Sequence, residues 1–184
     1  MSFHPGRLIV LFSISTERAM LYLHCTKKLL DRLKPEVMAG GTSTTGLGNW
    51  YATALLWKPQ IALFVNERTL LPVLIPLAPA AGMATRFPRF LAHVLAAHGI
   101  QPSFIEQELL HMQDVRYTKT TNRSVVGIMT QFCQFAEGYR GSDEMNDLVA
   151  LSIRLARIPC GPLYRGPVFP DKALRELIGS GSLQ

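Results

Sequence analysis

Large apolar residues alternate from Met20 to His24, the period of a strand, and the spacing then turns helical over Lys27 to Leu33 before Pro35 ends it. Thr26 stands at the N-cap position, so the opening unit reads strand then helix. Residues 38 to 48, MAGGTSTTGLG, are small, polar and rich in glycine, which predicts a mobile connecting loop. Beyond it, Trp50 to Trp57, Ile61 to Val65 and Leu71 to Leu77 are β-rich runs. They join at Lys58-Pro59 and through Asn66 to Thr69, most simply as an antiparallel meander. Pro72 and Pro76 cannot both donate to a central ladder, which places the third run at an edge or beside a bulge.

From Thr85 onward the period is helical, with Phe87, Phe90, Leu91, Val94 and Leu95 on one stripe and Gly99 as a stop. Ser103 and Glu106 have capping-box spacing ahead of Leu109 and Leu110, and Val115 to Tyr117 reads as a further short strand. Val125, Ile128, Met129, Phe132, Ala136 and Tyr139 then predict a central helix. Ser142 or Asp143 is placed to cap another, bearing Leu148, Leu151 and Leu155, and Asp171 to Ile178 supplies the last.

Strands first and helices later predict an α+β fold: a small, mostly antiparallel sheet of about four to five strands with about five helices packed on it. Residues 20–178 form the single domain, 1–19 an N-terminal extension and 179–184 a frayed tail. For the extension two readings stay open: an upstream start before a natural beginning at Met20, or an extra strand over Leu8 to Ile14. Arg7 followed by that apolar run resembles a signal-peptide core, but no convincing cleavage site precedes Met20.

Composition narrows the class. At 184 residues, 48% hydrophobic and 17% charged, the chain is too apolar for intrinsic disorder and leaves apolar surface for a partner such as a second copy of itself. Its longest apolar stretch, Leu70 to Ala84, is broken by three prolines, which argues against a membrane span. Cys25, Cys133 and Cys160 are far apart and form no C-x-x-C pair, so they read as idle thiols in a reducing cytoplasm, with no metal and no cofactor implied. The net charge of +6 suits nucleic acid, another anionic ligand or an acidic partner, and is also a common solubility charge.

The strongest chemical feature is YTKTTNRS, residues 117–124, at the approach to the central helix. Free backbone N–H groups and the positive dipole end gather at such a start, and Lys119, Thr120, Thr121, Asn122, Arg123 and Ser124 suit it to a phosphate, sulfate or carboxylate. The competing structural reading is that Thr121 or Asn122 only caps the helix. HCTKK, residues 24–28, is a second candidate, with Lys27 and Lys28 in a first turn where cations oppose the dipole. Trp50, Tyr51, Phe64 and Trp57 would stack bases if exposed on the sheet, although strand aromatics are more often core or interface. His24 and Cys25 are strand neighbours and point to opposite faces, which rules out a direct thiolate–imidazole pair. No P-loop or G-x-S-x-G elbow occurs.

LHCTKKLLDRL at 23–33 and YTKTTNRSVVGIM at 117–129, with IPCGP and FPDKALREL near the end, resemble a bacterial family of small stand-alone domains of unknown function. The resemblance covers nearly all of residues 20–178 and implies no chemistry. Thr53 and Thr130-Gln131 stand where the family pattern has an asparagine and an Asn-Asp pair. The leading expectation is a non-enzymatic binding or regulatory module for an anionic group, nucleic-acid phosphate included. The alternatives are a small transferase or phosphate-ester enzyme using Ser124 or His24 at the same pocket, and an assembly protein dimerising through its sheet aromatics.

Overall fold

The computed structural model describes residues 19–181; the Leu8 to Ile14 run lies outside them. The fold is α+β, built on one five-stranded sheet. In chain order come β1 (Met20–Cys25), α1 (Lys27–Leu33), β2 (Trp50–Leu55), β3 (Ile61–Asn66), β4 (Pro72–Pro76), α2 (Met83–Ala97) and α3 (Pro102–Leu110). They are followed by β5 (Asp114–Lys119), α4 (Arg123–Glu137), α5 (Leu148–Leu155) and α6 (Pro170–Gly181). The strand order is β4-β3-β2-β1-β5. β2, β3 and β4 form the antiparallel meander, while β1 runs parallel to both of its neighbours.

Helices cover both faces, which is why β2 and β3 are buried at every position and read as apolar runs with little alternation. Trp50, Ala52 and Ala54 face one layer together with Leu21, Leu23 and Phe64, beneath α2 and the apolar side of α1. Tyr51 and Leu55 face the other with Leu63, Val65 and Leu74, beneath α4 and α5. Among the described residues no helix is long and apolar enough to cross a membrane.

The prolines of β4 sit in phase. The Leu74 amide points to the outer edge, where it donates to Ser152 Oγ of α5 at 2.8 Å, and Pro72 and Pro76 share its parity. Their missing N–H groups therefore fall where no ladder bond is needed. Ser152 is fully buried and also donates to the Leu148 carbonyl. Ser152→Ala leaves the Leu74 N–H without a partner and is expected to cost about 1–3 kcal/mol in urea unfolding; a loss below about 0.5 kcal/mol would show that water replaces the hydroxyl.

Four sequence expectations are corrected. Ser103 and Glu106 form no capping box, because Pro102 takes the first helical position and Gln101 becomes the N-cap of α3. The helix expected from Ser142 or Asp143 is a 3₁₀ turn over Asp143–Asn146, and α5 begins afresh under Asp147, whose carboxylate accepts from the Ala150 amide at 2.9 Å. The glycine-rich segment is tied down. Glu108 accepts from the Gly46 and Leu47 amides, Ser43 binds the Tyr22 amide, and any Cβ at Gly41 would collide with the Tyr22 ring. Finally, Trp50, Tyr51 and Phe64 are fully buried, so none of them offers a base-stacking or dimer surface. Trp57 alone of that set is partly exposed, under the Arg140 guanidinium.

Candidate functional site

β1 and β5 lie side by side and parallel, with Cys25 opposite Lys119 and His24 opposite Thr118. The chain leaves β1 through Thr26 into α1 on one face of the sheet, and leaves β5 through Thr120 to Asn122 into α4 on the other. Where neighbouring parallel strands send their connections to opposite faces, a crevice opens at their carboxyl ends.

That divergence splits YTKTTNRS in two. Asn122 is the N-cap of α4, its Oδ1 accepting from the Ser124 and Val125 amides at 3.0 and 3.3 Å. These are the donors an anion would have needed, so this helix start is occupied by its own cap. Thr121 Oγ1 lies 3.2 Å from the Tyr51 hydroxyl, while Arg123 and Ser124 are exposed. Lys119 and Thr120 turn instead toward α1.

There they border a cleft of about 770 Å³. Lys27, Lys34 and Lys119 stand on its rim with Asp31 and Thr120. Its apolar lining comes from Cys25, Leu30, Pro35 and Val37. The sequence had suggested Lys27, Lys119 and Thr120; the structure adds Lys34 and leaves out Lys28, which is exposed and does not line the cleft. Lys34 reaches the site because it closes α1 in the left-handed conformation, with φ 50° and its amide bonded to the Leu30 carbonyl. A lysine just before proline gave a helix stop in the sequence; its left-handed turn was the missed signal. Lys27 pairs with Asp31 at 2.6 Å in the open, whereas Lys34 and Lys119 make no ion pair among the described residues.

Behind the cleft, on the α4 face, His24 stacks on Tyr51 with ring centroids 4.7 Å apart. The Tyr51 hydroxyl donates to Glu67, which also accepts from Asn49 and Asn122 side chains. The Lys119 carbonyl only accepts, so the 3.3 Å contact puts the His24 proton on Nδ1, leaving the buried Nε2 without a partner. Thr26 and Thr53 hydroxyls meet at 2.9 Å just past the carboxyl end of β1. Thr130 and Gln131 are exposed on α4 and do not line the cleft.

A family model described as Domain of unknown function (DUF6933) matches residues 22–173. The chain belongs to this family. No curated protein and no solved structure matches it. The DUF6933 match contains every residue lining the cleft, and also His24, Tyr51 and Glu67.

Electrostatics in this DUF6933 domain argue against thiol chemistry at the cleft. Burial pushes the Cys25 thiol up to about 12, so it is a neutral part of the lining. Burial also holds His24 and His98 below the ordinary histidine value. The unfolded chain therefore takes up protons near pH 6.5 that the folded protein refuses, and stability present above that pH is lost as the pH falls. Glu108 works in the opposite sense: its carboxyl is raised by burial, so its contribution is greatest in acid and fades as the pH rises above 4.5. Melting temperatures from pH 8 to about pH 5 should fall through the histidine window. The fall should shrink when His24 and His98 are both replaced by Asn; an equal fall in the double variant would assign it elsewhere.

Proposed function

We propose that this DUF6933 domain is a small binding module that takes an anionic group, a phosphate or a carboxylate, in the cleft between α1 and the end of β5. One observation carries the reading: three lysines from separate points of the chain, the start of α1, its end and the end of β5, meet at one concave site against a single carboxylate. Concave sites with a few convergent charged groups are where small ligands bind, and cations there add attraction that salt screens. Ser124 and His24 do not line the cleft, so the enzyme alternative lacks its catalytic groups at this place.

The test is calorimetric or fluorescence titration with simple anions, nucleotides and a short oligonucleotide at low and high salt. Replacing Lys34 and Lys119 together by Ala is expected to weaken binding by about tenfold or more, and binding should fall steeply with salt. Affinity unchanged by the double replacement, or indifferent to salt, would overturn the proposal. Cleft-directed binding should also raise stability by about 2.7 kcal/mol at a ligand concentration of 100 times Kd.

A further inference from the structure

We infer that the ligand of this cleft is a small amphiphilic anion, one acidic head joined to a compact apolar body, and not a polyanionic strand. The inference rests on the anion reading above and adds what the rest of the cleft says. Its charge is confined to the rim: Lys27, Lys34 and Lys119 are all exposed. Beneath and beside them the lining is Leu30, Pro35, Val37 and a buried, neutral Cys25, with the Thr120 hydroxyl as the one uncharged side-chain hydroxyl there to meet an anion. A site meant for a bare anion has no use for such a lining, whereas an apolar body gains affinity from each group it buries there.

Two further features turn against nucleic acid. Single strands are held by basic grooves with aromatic platforms, and no aromatic ring lines this cleft, since Trp50 and Tyr51 are buried in the sheet. Asp31 stands among the lysines, tolerable beside one head group but repulsive along a run of phosphates. The volume of about 770 Å³ lies in the range that encloses small organic ligands. Val37, 40% exposed, carries the apolar surface out to the mouth, whereas the Met38 sulfur beside it accepts from the Arg116 guanidinium and lies outside the lining. One exposed apolar side chain is too few to anchor a membrane, so the occupant is a free molecule and not a lipid surface.

Hexyl phosphate is the probe, compared at fixed ionic strength with inorganic phosphate, hexanol and a ten-residue oligothymidylate. Burying two or more methylene groups corresponds to roughly tenfold in affinity, so hexyl phosphate should bind at least about tenfold tighter than phosphate or hexanol. Lys34→Ala with Lys119→Ala should remove most of that binding. Val37→Asn, an exposed and uncharged change that leaves the core untouched, should weaken hexyl phosphate while leaving inorganic phosphate unaffected. Phosphate or the oligonucleotide binding as tightly as hexyl phosphate, with the same lysine dependence, overturns the amphiphile and keeps the anion site. Lysine-dependent pelleting with phosphatidylglycerol vesicles, without binding of hexyl phosphate, assigns the site to a membrane surface and also overturns it. If no probe binds in a lysine-dependent way, both readings fall.

Discussion

Replacing Asn66 by alanine is expected to destabilise the protein by about 3–5 kcal/mol, a large part of the stability of a domain this size. Asn66 is fully buried at the end of β3, and its side chain is the hub of the strand connections. Its Nδ2 donates to the Leu47 and Asn49 carbonyls at 3.0 and 3.2 Å. Its Oδ1 accepts from the Arg68 amide and from the Thr69 amide and hydroxyl, at 3.1, 3.0 and 3.0 Å. Alanine would leave the Leu47 carbonyl and the Arg68 and Thr69 amides without partners, the Asn49 carbonyl keeping the Glu67 amide, and would open a cavity in a buried place. Urea unfolding should show a lower midpoint with unchanged slope. Asn66→Asp should be almost as harmful, since it loses both donors and buries a charge. A loss below about 1 kcal/mol for alanine would mean that the turn repairs itself with water.

Phe87→Ala should be of comparable size, again about 3–5 kcal/mol. The Phe87 ring from α2 lies flat on Phe64, with centroids 4.0 Å apart and planes 6° apart, and meets the edge of Trp50 at 5.0 Å. This aromatic triad ties α2 to the start of β2 and the middle of β3, and truncation leaves a hole between rigid rings that cannot close over it. Phe87→Leu fills much of the space and should cost less than about 2 kcal/mol. Equal losses for Ala and Leu would show that the ring geometry, and not the filled volume, carries the stability.

What the sequence revealed was local. Pro35 stops α1 near Leu33, Gly99 follows the end of α2 with φ +76°, and the prolines of β4 announced an edge strand. Each is a rule about one residue and its neighbours. What stayed hidden depended on contacts between distant segments. Nothing in Asp114–Lys119 says that it pairs with β1, and nothing in MAGGTSTTGLG says that a buried Glu108 holds its amides from 61 and 62 residues away. The candidate site shows the same division. Asn122 as a cap follows from the residue type and its place. The meeting of Lys34 with Lys119 follows only from the parallel pairing of β1 with β5 and from the left-handed turn that ends α1. Trp50 and Tyr51 were ambiguous because burial on both sheet faces makes a central strand look like an exposed aromatic run until its covering helices are known.

The place of β1 in the sheet has a consequence for how the protein is made. β1 is an inner strand of the sheet but early in the chain, and its contact from His24 to Lys119 spans 95 residues. At ribosomal speed, roughly 5 to 20 s pass between the emergence of these two positions. For that interval β1 has an unpaired edge flanked by Leu21 and Leu23, and for its later part, once Pro76 has emerged, the meander on the other side is already complete. A nascent chain stalled before residue 114 would carry an open, apolar parallel strand, the kind of surface that chaperones hold and that aggregates capture.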